Sequence, residues 1–222
     1  MKGFMRTRIS LPSAIRTHVL PFSLLAPIFL LLTIPIIARA QAPNPVAYLT
    51  FDEGAGTVAH DSSGNNNDAT LLGGAGWTTG LVGSGALNLT GAAGSYADIP
   101  RDVVDTTKSF TVAAWVKLNS LGGYQTFVSE DAGFQATFFL QKRGNTNTFT
   151  FTIPFGAAGG PGVVVYADSG VTPTTGTWYH LAGVYDATRQ SASIYVNGDP
   201  EATMRALLGS TMRSRPLIPI FS

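Results

Sequence analysis

The 222-residue sequence has no cysteine, and this absence removes several kinds of chemistry at once. A chain without cysteine has no disulfide, no thiolate zinc site and no cysteine nucleophile. Histidine is also scarce, with three in all, and glutamate occurs only at Glu53, Glu130 and Glu201. The fold must therefore be held together by packing, or by a metal bound without sulfur.

The few carboxylates do not form the arrangement that sugar hydrolysis needs. Glycoside hydrolysis uses two carboxyl groups about 5–10 Å apart across the scissile bond. Two acidic pairs are sequence neighbours, which point to opposite faces of a strand: Asp52-Glu53 and Glu130-Asp131. A Ser-His-Asp site lacks its Gly-x-Ser-x-Gly elbow, and His180 is interpreted as a structural histidine. The sequence therefore predicts a protein that is not an enzyme.

Charge is unevenly distributed along the chain. Residues 41–204 carry six basic and thirteen acidic side chains, whereas residues 1–40 carry five basic and no acidic ones. Residues 205–222 are basic again, with three arginines and no acid. An acidic body without a basic stripe argues against nucleic acid as a partner.

Residues 1–40 have the composition of an export signal. Basic residues precede an apolar run over residues 19–37, and Ala38-Arg-Ala40 fits the small-x-small cleavage pattern. The sequence predicts a cleaved signal peptide, residues 1–40, followed by a linker, residues 41–45. The alternative is an uncleaved membrane anchor, although three prolines interrupt the run. The protein is therefore expected to be secreted, on the cell surface or periplasmic, and membrane-bound only if residues 1–40 stay attached.

From Val46 onward the pattern is one of short strands separated by glycine and asparagine turns, without sustained helical periodicity. Residues 110–118 are apolar on both faces, which predicts a buried strand with Trp115 in the core. Asn197-Gly198 predicts a type I′ hairpin, because both central positions of that turn need positive φ. The sequence predicts an all-β sandwich or barrel. The predicted strands are 46–51, 69–72, 86–89, 96–99, 110–118, 126–129, 136–141, 148–153, 162–166, 178–185 and 192–196.

Seven short motifs occur in an order typical of one known family. They are Tyr48–Gly54, Asp61–Asn65, Gly85–Leu87, Ser95–Pro100, Phe110–Val116, Trp178–Asp186 and Tyr195–Gly198. Together they resemble a laminin G-like domain of the concanavalin A-like lectin/glucanase superfamily. The resemblance implies a two-sheet antiparallel jelly-roll sandwich over residues 46–204, preceded by the N-terminal signal segment.

The resemblance ends before the C-terminus. Members of the family usually continue after the hairpin with further strands, one of them near the first strand. Residues 205–222 instead form a basic, off-pattern tail, in which Pro216 and Pro219 do not suit a central strand. The chain is interpreted as a truncated or divergent member, with a natural short variant as the alternative.

Oxygen-bearing side chains cluster between residues 61 and 68, where Gly64 permits a tight turn. Calcium prefers carboxylate and amide oxygens from such loops. The resemblance also favours calcium as a cofactor, because some members bind it near this loop. The alternative is an Asx-rich turn whose side chains bond to their own backbone. The candidate calcium ligands are Asp61, Asn65, Asn67 and Asp68.

Sugar recognition needs exposed aromatic rings beside polar groups, and the alternative for each ring is core or edge packing. The resemblance implies that the chain recognises an extracellular carbohydrate or protein. Two alternatives stay open: a degenerate glycoside hydrolase or a binding module separated from one, and a truncated product without independent function. The candidate ligand-binding residues are Trp77, Tyr124, Tyr166 and Tyr179, with polar contacts possible from Gln141, Lys142 and Arg143.

Overall fold

The computed structural model describes residues 44–132, 135–155 and 163–205. These ranges contain strands and turns, which confirms the predicted all-β class. No helix in them is long and apolar enough to cross a membrane. The strands in chain order are β1 Val58–Ala59, β2 Ala69–Leu72, β3 Gly76–Thr78, β4 Ala86–Asn88, β5 Tyr96–Asp98, β6 Phe110–Lys117, β7 Gln125–Ala132, β8 Gln135–Lys142, β9 Phe149–Phe155, β10 Val163–Asp168, β11 Trp178–Asp186, β12 Ser191–Val196 and β13 Asp199–Arg205.

Two four-stranded antiparallel sheets form the sandwich. The front sheet has the strand order β10-β9-β8-β7, and the back sheet has the order β13-β12-β11-β6. Burying the facing apolar sides of both sheets drives their association, because apolar area leaves water. The predicted jelly-roll sandwich is therefore confirmed. The shared core consists of Val116, Leu118, Phe138, Leu140, Phe149, Phe151, Ile153, Val165, Ala167, Leu181, Tyr185, Ala192, Ile194 and Val196.

The two sheets approach each other closely at Phe151 in β9 and Gly183 in β11. A Cβ atom added to Gly183 would lie 2.3 Å from Cδ2 of the Phe151 ring. Only glycine leaves room for the ring at this point. Phe110 extends the contact, with its ring centroid 6.1 Å from that of Phe151 and 5.6 Å from that of Tyr185.

Residues before β6 form two smaller sheets with a core of their own. Their strand orders are β1-β2-β5 and β3-β4. Ala59, Ala69 and Leu71 are buried at the centre of this second core. Gly73 follows β2 with φ +57°, and a Cβ atom there would lie 2.0 Å from the carbonyl oxygen of Gly94. This turn therefore requires glycine both for its backbone conformation and for space.

The predicted strand over residues 46–51 is wrong, because Leu49 makes only an isolated bridge to Asp61. Side chains of the following loop satisfy its backbone groups instead. The Tyr48 amide donates to Asp61 Oδ1 at 2.8 Å, and the Val46 carbonyl accepts from Asn67 Nδ2 at 2.7 Å.

Strands β1, β3 and β13 were not predicted, since two of them are very short and the third contains Pro200.

The prediction that Trp115 lies in the core is also wrong. Strand β6 is at the edge of the back sheet, and burial alternates along it. Val116 faces the core, whereas Trp115 lies on the outer face with 46% of its surface exposed. Its ring packs against His180, with a centroid distance of 5.1 Å. Apolar residues on the outer face of an edge strand give the same sequence pattern as a strand buried on both sides.

The predicted hairpin at Asn197-Gly198 is confirmed. The two residues have φ values of +54° and +90°, and they join β12 to β13 with Val196 opposite Asp199. Strand β13 is at the edge of the back sheet, where the missing amide of Pro200 is tolerated.

The predictions for the two ends of the chain lie outside the described residues. These concern the signal peptide, residues 1–40, most of the linker, and the tail from residue 206 onward. They stay predictions.

Candidate functional site

The outer face of the front sheet carries polar side chains that are nevertheless buried. Successive side chains of β9 point to opposite faces of the sheet, so that Phe151 faces the core while Thr150 and Thr152 face outward. These threonines are only 0% and 3% exposed, and Gln141 beside them in β8 is 7% exposed. Outward-facing polar residues of a sandwich are normally solvated. Their burial shows that the middle of this face is recessed.

The recess is termed the β9 cleft and has a volume of about 350 Å³. Ligand pockets typically measure about 300–1,000 Å³ and combine apolar walls with a few polar groups. The exposed rings of Tyr124 and Tyr166 flank a floor that includes Gln141 and Thr152. The residues lining the cleft are Tyr124, Phe139, Gln141, Thr152, Pro154, Val164 and Tyr166.

The polar floor is ordered by a hydrogen bond between neighbouring strands. Gln141 Nε2 donates to Thr152 Oγ1 at 3.2 Å. This bond fixes the amide orientation and leaves Gln141 Oε1 as an acceptor and the Thr152 proton as a donor for other partners. The second Nε2 proton of Gln141 is a further donor, so the floor presents an uncharged acceptor and two uncharged donors.

An ion pair supports one wall of the cleft. The Arg143 guanidinium lies 4.0 Å from the centroid of the Tyr166 ring and donates from Nη1 to Asp168 Oδ2 at 2.8 Å. Asp168 Oδ1 accepts hydrogen bonds from the Thr150 hydroxyl and, at 3.4 Å, from the Thr148 hydroxyl. A cation below an aromatic face contributes about 0.5–2 kcal/mol of attraction. The pair thus restrains the Tyr166 ring at the cleft.

Two of the four predicted aromatic ligands lie at the cleft and two do not. Tyr124 and Tyr166 are brought together by the order of strands in the front sheet. Trp77 packs in the second core, and its Nε1 donates to the Gly56 carbonyl at 2.9 Å. The Tyr179 ring is 5.0 Å from that of Phe149, and its hydroxyl accepts from an amide at 3.0 Å. Trp77 and Tyr179 therefore lie outside the described lining of the cleft, and ligand binding by them stays a prediction.

Four of the residues that line the cleft are not in the predicted set, and the predicted polar contacts Lys142 and Arg143 are not in the described lining. Phe139 shares a face with Gln141 through strand alternation, which is a signal the sequence contains. Placing Thr152, Pro154 and Val164 beside it requires the strand register, which the sequence does not specify. Lys142 was predicted as a polar contact, but it is buried on the core side. Its ammonium donates to the carbonyls of Leu121 and Gly123.

The predicted calcium loop is a turn that bonds to itself and to residues 45–48. The Asp61 carboxylate accepts four hydrogen bonds. Asn65 Nδ2 donates to the Val46 carbonyl at 3.1 Å, and Asp68 Oδ1 accepts from the Asp61 amide at 2.8 Å. The donors to Asp61 are Tyr48 N (2.8 Å) and Ser63 N (2.9 Å) at Oδ1, and Ser63 Oγ (2.7 Å) and Asn67 N (2.9 Å) at Oδ2.

The surroundings of Asp61 do not fit a calcium ion held by its carboxylate. Desolvation opposes ionisation, but the hydrogen bonds from Tyr48, Ser63 and Asn67 outweigh it and hold the pKa of Asp61 well below its usual range. A carboxylate offers about four lone-pair sites, and protein donors occupy all of them. Within the described part of the chain, no three His, Asp or Glu side chains are grouped to hold a metal. The Asx-turn interpretation accounts for this loop, and calcium stays a prediction.

We expect Asp61→Asn to destabilise the domain, most strongly near neutral pH. The carboxylate contributes stability that is fully present above its unfolded pKa of about 3.9. This contribution is lost progressively as pH falls from there towards the lower pKa that Asp61 has in the folded protein. Asparagine places an NH₂ group where the Ser63 hydroxyl or the Asn67 amide donates. Thermal unfolding between pH 7 and pH 2.5 should therefore show a difference from the unsubstituted protein that shrinks below about pH 4.

The same experiment, run with calcium and with chelator, separates the two interpretations of the loop. The turn interpretation predicts the same loss of stability in both conditions. Exposed Asp199 provides the control substitution, Asp199→Asn, with little expected effect. A calcium-dependent rise in Tm that Asp61→Asn abolishes would instead establish the loop as a calcium site.

Comparison with known proteins gives one family and seven similar chains of solved structures. The model of the Concanavalin A-like lectin/glucanases superfamily (Laminin_G_3) matches residues 90–217. Domain 4 of AbnA, a GH43 extracellular arabinanase from Geobacillus stearothermophilus, in complex with arabinotriose, is 22% identical. Its TM-score is 0.57, over 71% of this chain and 73% of that chain. At this identity the similarity shows a shared fold.

The native heptameric SAP-like pentraxin from Limulus polyphemus is a more distant structure. It is 19% identical, with a TM-score of 0.33 over 44% of each chain, which is too low for an argument. No curated protein matches the sequence.

Proposed function

The chain belongs to the concanavalin A-like lectin/glucanase superfamily, and from that premise we propose that it is a non-catalytic module that binds carbohydrate in the β9 cleft. The observation that carries this proposal is the cleft itself. Two exposed tyrosine rings flank a recessed floor with an amide and a hydroxyl group. Fold alone does not specify a function, so the proposal depends on this local geometry.

The cleft offers the two kinds of contact that a sugar needs. Sugar rings present apolar C–H faces and edges of hydroxyl groups. The rings of Tyr124 and Tyr166 supply large, rigid apolar surfaces with a polar tip. Gln141 and Thr152 supply an acceptor and two donors to the hydroxyl groups.

The lack of carboxylates in the described lining of the β9 cleft supports a binding role. Among the described residues that line the β9 cleft there is no Asp or Glu. Asp168 is not part of the described lining, and its oxygens accept hydrogen bonds from Arg143, Thr150 and Thr148. Hydrolysis would need two carboxyl groups facing the sugar.

The alternative, a degenerate hydrolase, has less support. An acid-lined recess of about 450 Å³ lies between residues 102–107 and Glu130. Glu130 Oε2, however, accepts the amides of Val103 and Val104 at 2.9 and 2.8 Å. These bonds give Glu130 a structural role in holding the segment that precedes β6.

We extend the proposal to an extracellular glycan as the partner. The export-like composition of residues 1–40 supports this location. The fold shared with a domain of an extracellular arabinanase, solved with arabinotriose, supports a short oligosaccharide as the ligand class.

We expect Tyr166→Ala to weaken oligosaccharide binding by at least about tenfold, with a smaller loss for Tyr124→Ala. Both substitutions remove a ring that flanks the cleft and leave the core untouched. Calorimetric titration with a panel of neutral oligosaccharides that includes arabinotriose measures the effect.

Trp115→Ala is the matched control, since Trp115 is an exposed ring on the outer face of the back sheet. This variant should bind as the unsubstituted protein does. Loss of binding in Trp115→Ala with retention in Tyr166→Ala would move the site to the back sheet. If all three variants retain oligosaccharide binding, the β9 cleft is not the binding site.

A further inference from the structure

We propose that the β9 cleft accepts uncharged glycans and discriminates against acidic ones such as uronic acid oligosaccharides. This inference rests on the proposed function and adds the chemical class of its ligand. It follows from where the charged groups around the cleft are directed.

The charged side chains at the ends of β8 and β10 are not among the described residues that line the cleft. Lys142 points to the opposite side of β8, where its ammonium donates to the carbonyls of Leu121 and Gly123. Arg143 and Asp168 pair with each other at 2.8 Å beside the wall. The described residues that do line the cleft are all uncharged.

The Arg143 guanidinium is engaged on several sides. Its face lies against the Tyr166 ring at 4.0 Å, and Nη1 bonds to Asp168. Its Nε is enclosed without a partner among the described residues, and the side chain is only 13% exposed. Arg143 therefore serves as a positioning residue for Tyr166 and is poorly placed to contact a ligand anion.

Asp168 cancels the charge of Arg143. Its carboxylate accepts from the guanidinium and from the hydroxyls of Thr150 and Thr148. A carboxylate ligand entering the cleft would lose water without gaining a cation, which is unfavourable. The hydroxyl groups of a neutral sugar match the uncharged donor and acceptor of Thr152 and Gln141.

The charge of the surrounding chain acts in the same direction. Residues 41–204 carry thirteen acidic and six basic side chains. An acidic body repels anionic ligands at low ionic strength, and this repulsion is screened by salt.

Two measurements on the unsubstituted protein test the inference. Calorimetric titration should show a neutral oligosaccharide binding at least about tenfold more tightly than a uronic acid oligosaccharide of similar length. Affinity for the neutral ligand should change less than about twofold between 50 and 500 mM NaCl, because no ion pair forms. Tighter binding of the acidic ligand that weakens steeply with salt would overturn the inference.

Asp168→Asn provides a gain-of-function test. The substitution leaves Arg143 without its counter-charge, and the positive charge then acts on the cleft through space without direct contact, so the preference for neutral over acidic oligosaccharide should fall about five- to tenfold. Asp186→Asn is the matched control, because Asp186 pairs with Arg189 at 2.6 Å at the end of β11, outside the cleft lining. An unchanged preference in a folded Asp168→Asn variant would contradict the role given to this pair.

The outcomes separate the inference from the proposed function. If acidic oligosaccharides bind best and Tyr166→Ala abolishes that binding, the cleft is a glycan site and the inference is wrong. If no glycan binds, the proposed function and the inference fall together. If the neutral ligand binds best and Tyr166→Ala abolishes it, both stand.

Discussion

Replacing Phe151 by alanine is expected to destabilise the domain by about 3–5 kcal/mol. Phe151 is fully buried in β9, where it meets both sheets of the sandwich. Alanine would remove a large apolar side chain and leave a cavity, because close-packed neighbours relax only partly. Denaturant unfolding monitored by circular dichroism measures the change in the free energy of unfolding.

Gly183→Ala examines the same contact from the opposite sheet. Its new methyl group would start 2.3 Å from the Phe151 ring, so we expect a loss of about 1–3 kcal/mol. In the double variant with Phe151→Ala, the methyl group has space, and the cost of Gly183→Ala should largely disappear. The two substitutions should therefore be strongly non-additive.

Gly76→Ala is the control, because a Cβ atom at Gly76 meets nothing within 4 Å and its φ is not positive. Its effect should be small and should add to that of Phe151→Ala. Additive behaviour of Gly183→Ala with Phe151→Ala would mean that the two sheets do not meet where the structure places them.

Gly73→Ala should have the second large effect, on the N-terminal sheets. Alanine at φ +57° costs about 1–2 kcal/mol. The added Cβ would also lie 2.0 Å from the Gly94 carbonyl oxygen, which adds about 1–3 kcal/mol of overpacking. A total of about 2–5 kcal/mol is expected.

The adjacent glycine isolates the steric part of this cost. Gly74 also has positive φ, +81°, but a Cβ atom there meets only Thr90 Cγ2, at 3.7 Å. Gly74→Ala should therefore cost about 1–2 kcal/mol. Denaturant unfolding of both variants gives the comparison. Equal losses would refute the close approach of the Gly73 turn to Gly94.

Strands and turns with local signals were predictable from the sequence. Residues 69–72 were predicted to the residue, because apolar alternation and the following glycine pair define them. The Asn197-Gly198 hairpin was also predictable from a local signal, because the positive φ values of the turn depend on the two residues themselves. The resemblance of seven motifs supplied the sandwich, and the matched family supports it.

Trp115 and residues 46–51 show where local patterns are insufficient. Whether Trp115 is buried depends on the edge position of β6, which is a property of the whole sheet. The backbone of residues 46–51 bonds to side chains of a later loop, and strand propensity does not include that competition. Asx-rich loops give one sequence pattern for a calcium site and for a self-bonded turn.

The candidate site was predictable in composition and not in assembly. Tyr124 and Tyr166 were selected as exposed aromatic residues, yet Trp77 and Tyr179 satisfied the same criterion. Joining Tyr124, Gln141 and Tyr166 into one cleft requires the order and register of β7 to β10. The Arg143–Asp168 pair depends on the same order, because Arg143 follows β8 and Asp168 ends β10, with β9 between these two strands.

The central claim is that a glycan binds in the β9 cleft on the front sheet. The most direct measurement is to follow backbone amide resonances of the isotope-labelled protein by NMR during titration with a neutral oligosaccharide. If the glycan binds in the β9 cleft, the largest shifts occur at Gln141, Thr152 and Tyr166, and they saturate together. Shifts concentrated around Trp115 or in the loop of residues 61–68, or no saturable shift with any neutral glycan, would contradict it.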